Sequence, residues 1–112
     1  MAKHIKQTIV PKNKLNIKQK YLKAILDGTK TDEIRNNSKL TGWVELKSIE
    51  TNDTLIVKFG QTYYPTTDFL DDLRKQKWWD DFCEKYVNEN KHFLWIYSIR
   101  QIVKSSKENG GK

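Results

Sequence analysis

Lys30, Glu33 and Arg35 crowd one short stretch, Gly28-Thr29-Lys30-Thr31-Asp32-Glu33-Ile34-Arg35. Lys30 supplies a point charge and Arg35 a planar fork of donors, so together they can hold a phosphate or the edge of a base. Glu33 can orient either cation, or accept from the exocyclic amine of a base. A lysine beside an arginine and partly buried can also give up its proton more readily and serve as a base. In an enzyme, Lys30 and Glu33 would therefore be the catalytic groups. The competing account is structural: Glu33 and Arg35 simply neutralise each other at a strand end, as ion-pair networks often do.

Other constellations carry less. Tyr63-Tyr64 and Trp78-Trp79 offer rings on which unpaired bases stack. One ring of each pair is expected in the core, and the tyrosines, next to Pro65, are the better candidates. His4, His92 and Cys83 have no zinc-ligand spacing. Cys83, between Phe82 and Tyr86, reads as a core thiol. Asp71-Asp72 and Asp80-Asp81 read as the solvated face of a helix. No glycine-rich phosphate loop is present, since Gly110-Gly111 sits in the C-terminal tail. No metal and no cofactor are expected.

The elements that must position the charged stretch follow from periodicity. Tyr21, Leu22, Ile25 and Leu26 recur at helical spacing, and the helix should run to about Asp27 with Gly28 as its stop. Asn13 or Asn16 could cap it, Asn16 forming a capping box with Gln19. Past Gly28 the period changes to that of a strand, which places Thr31, Glu33 and Arg35 on one face. Residues 1–12 read as an arm or edge strand ended by Pro11. Gly42–Ile49 alternates and Thr54–Phe59 is β-branched, so with the turn at Glu50–Asp53 they form a hairpin. Gly60 should end that hairpin, leaving Gln61–Thr66 as a strand end or cleft-side loop. Thr67-Asp68 opens a helical region whose apolar spacing stumbles at Arg74–Lys77, consistent with two short helices or one long one. His92–Val103 is apolar on both faces (Phe93, Trp95 and Tyr97 against Leu94 and Ile96), which suits a central strand. The order describes an α+β chain: a β-barrel or strongly curved mixed sheet flanked by two or three helices.

The helix followed by Gly28-x-Lys30-x-x-Glu33-x-Arg35 entering a strand resembles the signature of the ASCH domain, a relative of the PUA domain. Leu15-Asn16-Ile17 followed by Tyr21 is similar to that family's entry strand and helix. The resemblance covers residues 15–35. It implies a small PUA-like barrel, a motif lining a cleft, and a link to RNA. One ASCH-like group hydrolyses the acetyl amide of N4-acetylcytidine with a Lys, a Thr directly after it, and a second Thr two positions on. This chain matches at Lys30 and Thr31 but carries Glu33 where the proposed nucleophile stands, and a carboxylate does not simply replace an attacking hydroxyl. Glu84 is a conceivable counterpart of that group's later glutamate.

The 112 residues are 37% hydrophobic and 12% aromatic, enough for one modest core and one domain over 1–103, with residues 104–112 as a disordered tail. Net charge is +7, and its placement is informative. Residues 1–23 contain Lys3, Lys6, Lys12, Lys14, Lys18, Lys20 and Lys23 and no acid, whereas the remainder balances. Such asymmetry fits a polyanion-facing surface, or else a merely solvated lysine-rich face. The absence of a long apolar run excludes a spanning helix, no signal peptide is evident, and a lone cysteine fits a reducing cytoplasm. The expected function is binding of RNA or a nucleotide-like ligand by a monomer, with DNA a further candidate. Lys30, Thr31, Glu33, Arg35, Tyr63 and Tyr64 would form the contact set, helped by Lys18, Lys20 and Lys23. The alternatives are a hydrolase acting on a modified nucleoside or on RNA, and a module that engages an acidic protein partner.

Overall fold

A computed structural model describes residues 9–36 and 39–104. Residues 1–8 of the arm expected over 1–12, and residues 105–112 of the tail expected over 104–112, lie outside the described residues. The elements are β1 (Asn13–Ile17), α1 (Gln19–Leu26), β2 (Asp32–Arg35), β3 (Gly42–Ser48), β4 (Thr54–Tyr63), α2 (Thr67–Arg74), α3 (Asp81–Glu89) and β5 (Trp95–Lys104). The strands form one mixed five-stranded sheet in the order β1-β3-β4-β5-β2, with β1 parallel to β3 and the other pairs antiparallel. The sheet is strongly curled into a half-barrel accompanied by three helices, the α+β class expected from the sequence.

Alternation builds the concave face. Val44, Leu46 and Ser48 of β3 and Leu55, Val57 and Phe59 of β4 are buried, while Lys47 and Lys58 are exposed. On β5, Ile96 and Tyr97 are both fully buried although they point to opposite faces, because this interior strand is covered on both sides. The Tyr97 ring stacks on Phe59, with centroids 4.4 Å apart. Helix α1 presses Tyr21, Leu22, Ala24 and Ile25 into the same core. Leu22 and Ile25, essentially inaccessible, each contribute about 1.5–3 kcal/mol of burial.

The end of α1 is a hydrogen-bonded unit. Gly28 has φ +87°, its N–H donates to Ile25 O, and the Thr29 N–H donates to Ala24 O. These are the two bonds of a Schellman stop. The Lys30 N–H also reaches Ala24 O at 3.0 Å, so the turn delivers Lys30 to the start of β2 in a fixed position.

Several expectations need correcting. Of the arm or edge strand expected over residues 1–12, the described part from Ile9 to Lys12 is not strand, and β1 follows it at Asn13–Ile17. Asn13 and Asn16 lie in β1 and cap nothing; the cap position is Lys18, which makes no side-chain cap bond. The Gln19 N–H instead donates to Glu50 Oε1, 2.6 Å away, from the β3–β4 turn. A carboxylate brought by the tertiary fold thus takes the place of a local cap. Strand β4 runs through Gly60 to Tyr63 because the ladder shifts register there instead of ending, and the Gln61 N–H bonds Ser98 Oγ at 2.8 Å. The helical region divides into α2 and α3, capped by Thr66 and Asp80. Strand β5 starts at Trp95, since the Phe93 N–H turns back to Asn90 O and Phe93 is left 72% exposed. Lys104, assigned to the tail, is the last residue of β5.

A Cβ at position 28 would meet no atom within 4 Å, so Gly28→Ala adds only the strain of a left-handed backbone. It is expected to cost about 1–2 kcal/mol. Urea unfolding should show a lower midpoint at unchanged slope.

Candidate functional site

The half-barrel leaves β1 and β2 as its two edges, and no backbone ladder joins them. One side chain crosses between them: Arg35, on β2, donates from Nη2 to Asn16 O of β1 at 2.8 Å. A cavity of about 270 Å³ occupies this seam. Asn16, Ile17 and Lys18 bound it from the β1 side, Lys30, Glu33, Ile34 and Arg35 from the β2 side, and Tyr21, Trp78, Phe82 and Tyr86 supply aromatic walls. Ile49, 58% exposed, and Phe82, 46% exposed, also line it and leave it open to solvent.

The floor is charged and dry. Lys30 and Glu33 are each only 4% exposed. Lys30 Nζ donates to Asp32 O, lies 2.9 Å from Glu33 Oε1, and sits 3.8 Å from the centroid of the Trp78 ring. Such a desolvated cation–π contact is worth about 2 kcal/mol. Glu33 Oε2 accepts from Arg35 Nε at 2.6 Å. Oε1 faces the Lys30 ammonium, so each carboxylate oxygen has its own cation. Burial pushes the Glu33 carboxyl up, yet the two flanking cations outweigh burial and hold it below its ordinary value.

The walls are tied together behind the aromatic surface. Asp80 caps α3 by accepting from the Cys83 N–H, and its Oδ1 also accepts from the Tyr21 hydroxyl at 2.6 Å. The Cys83 thiol donates to that same hydroxyl oxygen, and Lys20 pairs with Asp80. Burial opposes ionisation of Asp80, but bonds from Lys20, Tyr21 and Cys83 prevail and keep its carboxyl well below the usual range. Burial pushes the Cys83 thiol up, which suits a core thiol and not an activated nucleophile.

The fold brings Lys18, Lys30, Glu33 and Arg35 to this cavity and leaves other candidates outside it. Thr31 precedes β2, is exposed, and bonds Asp32. Lys20 is held by Asp80, and Lys23 is exposed on the last turn of α1. Tyr63 packs edge-on against Phe69, and Tyr64 lies against Trp95 in a separate concavity. Glu84 is gripped by Arg74 through both oxygens and by Trp79 Nε1, and it does not line the cavity. Tyr21, Phe82 and Tyr86 are aromatic lining residues that sequence reasoning passes over, because aromatics at helical spacing read as core. Among the described residues, no three His, Cys, Asp or Glu side chains cluster as metal ligands, and no helix is long and apolar enough to cross a membrane. The chain matches no known family and no curated protein.

Removing one member of a buried charge cluster leaves the others uncompensated, at a cost of about 3–5 kcal/mol. Lys30→Met and Glu33→Gln should each destabilise the fold by that order, and the double variant by less than their sum in a double-mutant cycle. Because Glu33 titrates lower folded than its ordinary 4.5, its contribution is present above that pH. It is lost as pH falls through the folded value. Acid titration of unfolding should therefore be flatter in Glu33→Gln than in the wild type.

Proposed function

We propose that the seam cavity binds an unpaired RNA base or a nucleotide-like group, in a domain of the ASCH type. The observation that carries this reading is the buried Lys30–Glu33–Arg35 floor beneath aromatic walls, in a cavity open at the seam. A carboxylate between two cations at the base of the recess favours a ligand whose edge carries both donors and acceptors. Planar walls favour a flat heterocycle, since any base stacks on an aromatic ring. The volume lies just under the range of about 300–1,000 Å³ usual for drug-sized ligands, in keeping with one base and not a long substrate. Lys18, whose Nζ lies 4.0 Å from the Phe82 ring centroid, stands at the mouth where a phosphate would pass.

The motif Gly28-x-Lys30-x-x-Glu33-x-Arg35 supports the ASCH assignment, and the curled half-barrel is compatible with PUA-like folds. Binding is favoured over hydrolysis for two reasons. No Ser or Thr stands among the cavity's lining residues, and burial pushes up the thiol of Cys83, the one sulfur nucleophile that lines it. Glu84, the counterpart that hydrolysis would need, is occupied by Arg74.

The test is fluorescence anisotropy with labelled single-stranded RNA, duplex RNA and duplex DNA at two salt concentrations. Lys30 variants are unsuitable because they unfold the floor, so the informative change is Phe82→Ala, at a half-exposed wall. Loss of one stacking ring should weaken single-stranded RNA binding by about 1–3 kcal/mol, and Lys18→Ala should reduce the salt dependence. Equal affinity of wild type and Phe82→Ala for single-stranded RNA would overturn the reading, as would failure to bind at low salt.

A further inference from the structure

A second concavity, of about 400 Å³, lies next to the seam and has no part in the floor chemistry. Tyr64, Phe93, Trp95, Asn36, Lys91 and His92 line it. Tyr64 is 71% exposed and Phe93 72%. Large rings exposed together are uncommon on a surface that meets only water. The Tyr64 and Trp95 centroids are 5.2 Å apart with planes at 35°, and Lys39 Nζ lies 5.8 Å from the centroid of the Trp95 ring. No carboxylate is among the lining residues, although α2 and α3 carry many.

The two concavities are joined through the sheet. Arg35, in the seam, is paired across the β2–β5 ladder with Trp95, in the second concavity. Asn36 follows Arg35 directly; its side chain borders the second concavity, and its N–H donates at 2.7 Å to the hydroxyl of Tyr86, which walls the first. Neighbouring strands stand only about 4.8 Å apart, so a ligand leaving the seam past Arg35 meets the rings of the second concavity.

From this arrangement we infer that the Tyr64–Phe93–Trp95 surface is a second subsite, which stacks the nucleotide adjacent to the one held in the seam. The inference rests on the reading of the seam as a base-binding cleft. Exposed rings supply sequence-tolerant stacking, and Lys39 and Lys91 supply positive charge for the intervening phosphate. That combination of rings with cations and no acid is what single-stranded nucleic acid requires. It disfavours a basic or purely apolar protein segment, which would leave the lysines opposed or unused.

The experiment compares a nucleoside monophosphate with a tetranucleotide of the same base, for each of the four bases, by calorimetric titration. The proteins are wild type, Phe82→Ala and the double variant Tyr64→Ala/Phe93→Ala. Both rings of the double variant are surface groups, so the fold is retained, and circular dichroism verifies this. The wild type should bind the tetranucleotide more tightly than the monophosphate. The double variant should lose about tenfold on the tetranucleotide, the effect of about one stacked base, and nothing on the monophosphate. Phe82→Ala should weaken both. Unchanged tetranucleotide affinity in the double variant overturns the second subsite while leaving the seam reading intact. If the wild type binds neither ligand, the seam reading falls and takes the second subsite with it.

Discussion

A sheet that curls without closing leaves two edges facing each other, and unpaired edges are a liability that a fold must cover or bridge. Here the bridge is a single guanidinium. Arg35 is aligned by Glu33 on its own strand and spends its remaining reach on the Asn16 carbonyl of the opposite edge. Glu33 is in turn neutralised by Lys30, which is set in place by the Gly28 turn and covered by Trp78. The helix stop, the strand entry and the seam therefore form one chain of dependence. Loss of any member releases the others into a site that water barely reaches.

Buried ion pairs are poor sources of stability compared with apolar packing of the same volume. A charged trio beneath aromatic walls is therefore an arrangement that core stability alone does not call for. Its value is chemical: in a low-dielectric recess, a carboxylate and two cations discriminate among donors and acceptors far more sharply than in water. This agrees with the proposed base-binding role, in which the seam between the two sheet edges is where the ligand enters.

Much of the fold is legible in the sequence. The β3–β4 hairpin, the interior position of β5, the break between α2 and α3, and the α1 stop at Gly28 all follow from local periodicity and turn chemistry. What fails locally fails for tertiary reasons. Glu50, distant in sequence, caps α1. Ser98, on the neighbouring strand, stabilises the irregularity that carries β4 past Gly60. At the site, the charges of Lys30, Glu33 and Arg35 could be read from spacing, but their enclosure could not. Trp78 reads as core and is core, yet it also presents its face to Lys30. Phe82 and Tyr86 share the helical period of an apolar stripe, and only the curl of the sheet turns that stripe into the wall of a cavity.

The tie between α1 and α3 has a further consequence for how the molecule assembles. The β3–β4 hairpin closes through a short turn, whereas the Tyr21–Asp80 bond joins residues 59 apart, and the Asn36–Tyr86 bond residues 50 apart. Contacts at such separation carry the larger loop-closure entropy and reward the chain only once the intervening strands are in place. Local pairing thus favours early formation of the β3–β4 hairpin, with the seam and its aromatic walls completed last. A chain emerging from synthesis would hold the seam cavity unformed until α3 and β5 had been made, because α3 walls it and β5 pairs with β2.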